Sequence, residues 1–398
     1  MDILRNTMEI YDIIHGNILL CPIAKKIIDT IEFQRLRNIK QLGCCYLVFP
    51  SAVHTRFEHS IGVYHLANKY IQKLNKDKKF FTEREIECIT IAGLIHDIGH
   101  GPYSHLFDET VDQDKNHEYR SGKLLELMNQ KYNLGFTEKD INFILKIIYP
   151  KKYTIDPLEK YKYQIISNKT GIDVDRFDYI TRDIHMTGLN YGIEYERIMN
   201  NSKIIDGSIQ YSDKVQTNIE EFFRIRFIMY KEVYNHRTVR CLEYMMKEFM
   251  NEIDSVINIK RIINEDQWDE FIKINDNIID IINFISNNDK LSKLKEIIHN
   301  INTRNIYKSI GEIEVSISNG DKEHFKNIKE SKLESLIIID KIEINYYGEE
   351  ECQYYSNNKY HKVKTEYPDN KDIYIISIYY KNSESKEFAK LFFQQILP

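Results

Sequence analysis

The stretch His96–Asp108 reads HDIGHGPYSHLFD, and it decides where the first helical region ends and where chemistry is expected. A capping pattern at residues 82–85, TERE, opens an apolar-periodic segment that predicts a helix through Ile98. Gly99 and Pro102 then interrupt the helix, because Gly favours a turn and Pro cannot donate a backbone hydrogen bond. The His-Asp pair is therefore expected at the C-terminal end of this helix.

Histidine is concentrated around this stretch. Seven of the 13 histidines lie between residues 54 and 117, where an even spread along the chain would give about two. Histidine is the commonest metal ligand and titrates close to neutral pH, so such a cluster indicates a candidate site. The seven are His54, His59, His65, His96, His100, His105 and His117.

An adjacent His-Asp pair offers one neutral nitrogen and one hard oxygen to a cation, and it needs further ligands from elsewhere in the chain. Candidates are His59 in HTRFEH and an aspartate in GIDVDRFDYITRD, residues 171–183. Two His and two Asp leave positions open for water or substrate oxygens, as a catalytic metal requires. This donor set suits Fe, Mn or Zn comparably. Mg²⁺ would accompany the phosphates of a nucleotide.

A proton donor is expected next to the metal. His105 and Asp108 lie three residues apart and share one face if the segment is helical, so the carboxylate would orient the imidazole as a general acid. His117 would complete this network. A lone His-Asp pair is more often a hydrogen-bonded core or surface pair, but the clustering of histidines favours a metal site.

Composition limits the fold and the partners. The 398 residues include only 15 Gly and 7 Pro, which favours a mainly α protein. A net charge of -5 argues against general nucleic-acid binding. No membrane span or signal peptide is recognisable, so we expect a soluble, intracellular protein of the cytoplasm or nucleus with no membrane partner.

Helical periodicity dominates up to about residue 310 and includes one long helix from Gln216 to Met250. Beyond it, segments rich in Ile and Tyr predict strands. We therefore expect a helical body over residues 1–310 and a smaller α+β lobe over residues 311–398. The predicted strands are Glu312–Ile317, Leu333–Tyr347 and Asp372–Tyr380, followed by a helix over Glu384–Leu397.

Several long, ordered motifs resemble the HD-domain deoxynucleoside triphosphate (dNTP) triphosphohydrolases, and most of all the catalytic core of the vertebrate enzymes that join a SAM domain to an HD domain. The resemblance does not extend to the SAM domain, because only 11 residues precede the first motif. The motifs are DIIHGNI (Asp12–Ile18), IDTIEFQRLRNIKQLG, HTRFEHSIGVYHLA, IAGLIHDIGHGPYSHLFD, SNKTGIDVDRFDYITRD, VYNHR and RNIYKSIGE (Arg304–Glu312).

The resemblance implies an HD-domain helical core with an N-terminal regulatory segment. It also implies hydrolysis of a dNTP to a deoxynucleoside and triphosphate, with the His105 imidazole protonating the sugar 5′ oxygen. The metal ligands implied are His59, His96, Asp97 and Asp175. The catalytic residues implied are His105, Asp108, His117, Arg56 and His100.

Substrate contacts follow from the same resemblance. Arg56, His100, Arg176, Tyr179 and Arg226 match positions that hold the phosphates, and Arg176 stands where the vertebrate enzymes have Lys. Gln41 and Asp183 match contacts to the sugar 3′ hydroxyl, and Leu42 and Tyr234 match the wall that excludes a 2′ hydroxyl.

The resemblance further implies GTP or dGTP and dNTP activators bound between subunits of a homo-oligomer, a dimer or an allosteric homotetramer. Asp29, Gln34 and Arg37 match guanine-reading residues. Lys203, Lys214, Arg304 and Lys308 match residues that hold activator phosphates. Met8, Tyr11 and Cys352 replace basic or amide residues of the vertebrate enzymes at this site.

Two other functions remain open. One is an HD phosphohydrolase acting on other nucleotides, which needs the same metal but a shorter phosphate clamp. The other is a nucleotide-sensing or single-stranded nucleic-acid-binding protein, which the net charge disfavours. The run Glu220–Arg237 places Arg and Lys among aromatic residues and suits phosphate binding or an ordinary solvated helix face.

Overall fold

The computed structural model describes residues 8–110, 113–285, 289–316, 337–344, 346–355 and 373–396. Helices make up most of these residues, so the prediction of a mainly α fold with a small α+β part is confirmed. Among the described helices, none is both long and apolar enough to cross a bilayer.

The helices are numbered in chain order. They are α1 Pro22–Ile28, α2 Ile31–Gln34, α3 Arg56–Leu74, α4 Glu83–Ile95, α5 His105–Thr110, α6 His117–Tyr132, α7 Glu138–Ile148, α8 Val174–Thr187, α9 Tyr195–Asn200, α10 Gln216–Met229, α11 Arg237–Ile257, α12 Ile259–Asn264, α13 Trp268–Phe271, α14 Ile278–Phe284, α15 Ser292–Asn302 and α16 Ser383–Ile396.

The strands are short, apart from three near the C-terminus. They are β1 Met8–Asp12, β2 Gly16–Leu20, β3 Ser202–Ile205, β4 Ser208–Ser212, β5 Lys308–Ser316, β6 Ile337–Ile344, β7 Tyr354–Tyr355 and β8 Ile373–Tyr380.

The chain divides into two compact units, and the first comprises the described parts of Met1–Phe222, Asn258–Ile278 and Tyr347–Val363. Its centre is formed by α3 and α4 packed together, with α8 against α3 and α7 against α4. Strands β1 and β2 form an antiparallel hairpin, and β3, β4 and β7 form a separate small sheet. Apolar side chains of α3, including Ile61 and Leu66, are buried, and their burial holds this helix in the bundle.

The second unit comprises the described parts of Phe223–Ile257, Ile279–Tyr346 and Lys364–Pro398. It contains an antiparallel sheet in the order β5-β8-β6, with α16 packed on β8 and β5, and α11 packed on α15. Ile337, Ile378 and Ala389 form a buried cluster between the sheet and α16. The division of the chain into domains at residue 310 stays a prediction.

The predicted helix boundaries are most accurate where a helix-capping motif coincides with the start of an apolar periodic segment. The Thr82 capping box opens α4, but the helix ends at Ile95 rather than at Ile98. The predicted long helix over residues 216–250 is wrong as one element, because a π-helical turn over Tyr230–Tyr234 separates α10 from α11. The three predicted strands correspond to β5, β6 and β8, and residues 317, 333–336, 345, 372 and 397 of the predicted elements lie outside the described residues.

Candidate active site

The end of α4 is held in place by two polar side chains from other elements. The buried Arg35 guanidinium donates to the carbonyl oxygen of Ile98 at 3.1 Å and to that of His100. The Ser121 hydroxyl accepts from the Gly99 amide at 2.9 Å and donates to the His96 carbonyl at 2.7 Å. The backbone that carries the His-Asp pair therefore has a fixed path.

Gly99 is required by this path. A Cβ atom at Gly99 would lie 2.3 Å from the His117 carbonyl oxygen and 2.4 Å from the Ser121 amide nitrogen. Both are backbone atoms at the start of α6, which cannot give way as a flexible side chain would. The glycine therefore allows α6 to approach the loop that carries the metal-site candidates.

Four side chains from three segments converge in the first unit. The His59 Nε2 atom lies 3.2 Å from an Asp175 oxygen and 3.6 Å from an Asp97 oxygen. The His96 Nε2 atom lies 3.4 Å from oxygens of both aspartates. Ligand atoms bound to one tetrahedral ion by bonds of ~2.1 Å are about 3.4 Å apart. His59, His96 and Asp175 each offer an atom within 4.8 Å of the others and fit a shared cation, and the Asp97 carboxylate lies beside both histidines.

The second nitrogen of each histidine ring is already engaged. His96 Nδ1 lies 2.8 Å from the Gly93 carbonyl oxygen, which can only accept, so Nδ1 carries the proton. His59 Nδ1 lies 2.7 Å from the Asp178 carboxylate and donates to it in the same way. Both Nε2 atoms are buried and have no hydrogen-bond partner among the described residues. They face the carboxylates, in the position that the metal-binding nitrogen of a histidine takes.

The charge balance of the cluster also suits a cation. Burial by itself lowers the pKa of His59, but the neighbouring carboxylates of Asp175 and Asp178 outweigh it and raise that pKa to about 10. Burial opposes ionisation of Asp175, but His59 and His96 hold its pKa below the usual range. The site therefore favours an added positive charge, which a proton or a metal ion can supply.

Arg56 joins the metal cluster to a second loop. Its buried guanidinium pairs with Asp97 through Nη1, and its Nε donates to the Ser104 hydroxyl at 2.9 Å. Ser104 in turn donates to the Lys40 carbonyl at 3.0 Å. Burial opposes ionisation of Asp97, but Arg56, His96 and His100 together keep its pKa well below the usual range. A buried guanidinium at this point can hold a phosphate next to the metal site.

The predicted proton-donor network is arranged differently from the sequence hypothesis. Asp108 hydrogen bonds to His117 Nδ1 at 2.6 Å and also pairs with the buried Arg120. His105 lies on α5 with Asp108, and the predicted role of Asp108 in orienting it stays a prediction. The His117 ring stacks on His100 with centroids 3.9 Å apart, and its centroid lies 5.7 Å from that of the more exposed His105. His105, Asp108 and His117 nevertheless form one cluster of ligand-competent atoms.

Two residues predicted to contact the sugar, Gln41 and Asp183, are linked to each other through His54. The Gln41 amide donates to the His54 carbonyl at 3.0 Å, and His54 Nε2 lies 2.7 Å from Asp183. The Gln41 Oε1 atom is buried and finds no hydrogen-bond partner within the described ranges, as expected of a group that meets a ligand. Leu42 follows Gln41 directly, at the start of the 3₁₀ turn Gly43–Leu47.

Two predicted phosphate contacts lie on α8 with the metal-site candidate Asp175. Arg176 pairs with the buried Asp173, the N-cap residue of the helix. The Tyr179 ring centroid lies 6.4 Å from that of His59. Arg226 and Tyr234 belong to the second unit, where Arg226 Nη1 lies 3.5 Å from the Tyr346 carbonyl oxygen. Their roles in binding stay predictions.

Some of the predicted activator residues interact with one another. The Gln34 Oε1 atom accepts from Arg37 Nε at 2.8 Å, and the Arg37 guanidinium lies 3.5 Å from the Phe57 ring centroid. Asp29 is well exposed. Lys203 lies on β3 and Lys214 in the turn before α10, whereas Arg304 and Lys308 belong to the second unit.

Sequence reasoning missed several residues that build the site. Asp178, which accepts from His59, lies in the same GIDVDRFD motif as Asp175, so the motif alone offered a signal. Arg35 and Ser104 gave no such signal, because their partners are backbone atoms and side chains far away in the chain. Arg120 is also distant in sequence from the glycine loop to which its Nε donates.

Comparison with known proteins agrees with this geometry. Residues 56–183 match the HD domain, and residues 193–345 match the HD associated region. The first match contains the four metal-ligand candidates, so the fold and the site define an HD-domain protein.

The chain is 37% identical over 358 residues to the deoxynucleoside triphosphate triphosphohydrolase SAMHD1 homolog of Dictyostelium discoideum, covering 86% of this chain and 68% of that protein. It is 40% identical over 351 residues to a putative HD domain-containing protein of Acanthamoeba polyphaga mimivirus, covering 78% and 74%. It is 36% identical over 349 residues to human deoxynucleoside triphosphate triphosphohydrolase SAMHD1, covering 77% and 55%. The chain belongs to the HD-domain deoxynucleoside triphosphate triphosphohydrolase family, which confirms the predicted family and enzyme class.

Proposed function

We propose that this protein is a metal-dependent triphosphohydrolase that converts a dNTP and water to a deoxynucleoside and inorganic triphosphate. The observation that carries the proposal is the pair of buried Nε2 atoms of His59 and His96, which have no hydrogen-bond partner in the described part of the chain and face the carboxylates of Asp97 and Asp175. When bound there, a divalent Fe, Mn or Zn ion would act as a Lewis acid and activate water near neutral pH.

The polar groups next to this cluster suit a polyphosphate. Arg56 is buried against Asp97, so its guanidinium can contact phosphate oxygens beside the metal ligands. Arg176 follows Asp175 on α8 and supplies a second guanidinium. Two guanidinium groups from different helices favour a substrate with several phosphates over a monophosphate.

Cleavage to a deoxynucleoside requires a proton on the departing 5′ oxygen of the sugar. His105 is more exposed than His117, and we assign it the role of proton donor to that oxygen. The rings of His100 and His117 stack on each other and lie beside the His105 ring, and Asp108 hydrogen bonds to His117. These contacts limit the movement of the His105 imidazole. Gln41 and Asp183 would then bind the 3′ hydroxyl of the same sugar, with Leu42 and Tyr234 excluding a 2′ hydroxyl.

Activation belongs to the same proposal. We assign Asp29, Gln34 and Arg37 to a guanine site for GTP or dGTP in a homo-oligomer. Lys203, Lys214, Arg304 and Lys308 would neutralise the activator phosphates. The paired Gln34 and Arg37 side chains support a shared recognition surface.

Product analysis tests the reaction. Purified protein is incubated with each dNTP and Mn²⁺, with and without GTP, and the products are separated by ion-exchange chromatography. A deoxynucleoside with intact triphosphate supports the proposal, and Asp175→Ala serves as the inactive control. A dNMP with pyrophosphate would instead favour another HD phosphohydrolase, and no turnover with any divalent metal would favour a nucleotide-sensing role.

A further inference from the structure

The turn between β1 and β2 carries a histidine that is directed into the protein. Asp12 shapes this turn, because one of its carboxylate oxygens accepts from the Ile14 and His15 amides, both at 2.9 Å. The His15 side chain is only 2% exposed, and its Nε2 lies 2.6 Å from an Asp178 oxygen. The Tyr195 hydroxyl lies 3.5 Å from the other ring nitrogen.

Asp178 is the same carboxylate that holds the candidate metal ligand His59. Its Oδ2 atom accepts from His59 Nδ1 at 2.7 Å, while His15 binds Oδ1. Arg182 donates to both oxygens, at 3.0 and 2.9 Å, and its guanidinium also pairs with Asp12. One fully buried carboxylate thus joins the hairpin to the metal cluster.

The fold makes room for this arrangement at Gly62, one turn after His59 on α3. A Cβ atom at Gly62 would lie 1.9 Å from Asp178 Oδ1 and 2.6 Å from Arg182 Nη2. Only glycine therefore lets the carboxylate lie this close to α3 while it binds both histidines.

We propose that His15 is a positioning residue for the metal ligand His59, acting through Asp178, so that the β1–β2 hairpin forms part of the metal centre. Without the His15 bond, Oδ1 of a buried carboxylate loses one of its donors, and the carboxylate can rotate towards Arg182. The bond to His59 Nδ1 then weakens, and the imidazole is no longer held with Nε2 facing Asp97 and Asp175. Partners of this kind fix the orientation and basicity of a metal-binding imidazole.

The inference rests on the metal site of the proposed function but not on the nucleotide substrate. Metal binding is therefore measured without nucleotide, by Mn²⁺ calorimetry on the full chain. We expect His15→Phe to weaken Mn²⁺ binding by about 10- to 100-fold, the usual cost of losing such a partner. His15→Gln keeps a donor of similar reach and should retain most of the affinity. Ile13→Ala, at a 63% exposed position of the same turn, is the matched control and should bind as the wild type does.

A second readout needs no destabilised variant. In wild-type protein labelled with ¹⁵N-histidine, the His15 ring signals, assigned with His15→Gln, should shift on Zn²⁺ addition, whereas those of His299 in the second unit should not. Wild-type affinity in folded His15→Phe, an equal loss in Ile13→Ala, or unchanged His15 signals would overturn the inference. A wild-type chain that binds no divalent metal would refute the proposed function itself.

Discussion

Asp276 provides a quantitative test of how the active-site loops are held. Its side chain is 2% exposed, and its two oxygens accept from the backbone amides of Tyr103, at 2.8 Å, and Lys40, at 2.9 Å. Lys40 precedes the predicted sugar contact Gln41, and Tyr103 precedes Ser104, which binds Arg56. The Asp276 carboxylate therefore holds the segment before Gln41 and the segment before Ser104 at the same time.

The perturbation is Asp276→Ala, which leaves two amide groups without their acceptor. Each unsatisfied buried donor costs about 1–3 kcal/mol, so the local cost is about 2–6 kcal/mol. Tyr103 and Ser104 have φ angles of 59° and 57°, in the left-handed region that non-glycine residues seldom adopt. Loss of the Asp276 carboxylate should therefore let this segment open and move Ser104 away from Arg56.

Amide hydrogen exchange followed by mass spectrometry is the assay, because it reports local opening. At the lower limit of about 2 kcal/mol, exchange of the Lys40 and Tyr103 amides should accelerate about 30-fold. Asp276→Asn keeps one acceptor oxygen and should show a smaller increase. Lys273→Ala, at an exposed position of the same segment, is the control. Unchanged protection at both amides in Asp276→Ala would refute the reasoning.

Three further predictions concern the proposed chemistry. Asp175→Ala removes a metal ligand and should abolish both metal binding and turnover, whereas His105→Ala should keep the metal and slow turnover by about 10²–10⁴-fold. Elemental analysis measures the bound metal and steady-state kinetics measures turnover. Equal metal loss in both variants would contradict this division of roles. Tyr234→Ala should hydrolyse ribonucleotides better relative to dNTPs, and an unchanged kcat/KM ratio would place the 2′-excluding wall elsewhere. Desolvation, with the charges of Arg56 and His117, lowers the pKa of His105 to about 4 in the free enzyme. A bound polyphosphate favours the imidazolium and raises this pKa. Because kcat reports the substrate complex and kcat/KM the free enzyme, kcat should fall at a higher pH than kcat/KM. Coincident pH profiles would count against His105 as the acid.

The sequence was most informative where chemistry and local pattern coincide. The capping box at Thr82 predicted the start of α4, and the Gly-Pro interruption predicted that the His-Asp pair lies near its C-terminal end. Histidine clustering led to the metal candidates His59 and His96 before any fold was known. These predictions needed only short-range rules.

The supporting groups could not be predicted in this way, because their partners are remote in sequence. His15 and Asp178 are 163 residues apart, and Lys40 and Asp276 are 236 apart. The π-helical turn that begins at Tyr230 breaks a segment whose periodicity is otherwise continuous, without a Gly or Pro to signal it.

The hypothesis that Asp108 orients His105 stays a prediction, and its surroundings show the limit of helical spacing. Helical spacing places the two residues on one face, but the Asp108 carboxylate is taken by His117 and Arg120 from the following segments. Spacing within one helix predicts which groups are neighbours, and tertiary packing decides which of them bond.

The central claim is that four side chains from three segments hold one catalytic cation. Anomalous diffraction from crystals grown with Mn²⁺ tests it most directly. We predict one strong peak within bonding distance of His59 Nε2, His96 Nε2, Asp97 and Asp175. No peak there, or a peak only among His105, Asp108 and His117, would contradict the account.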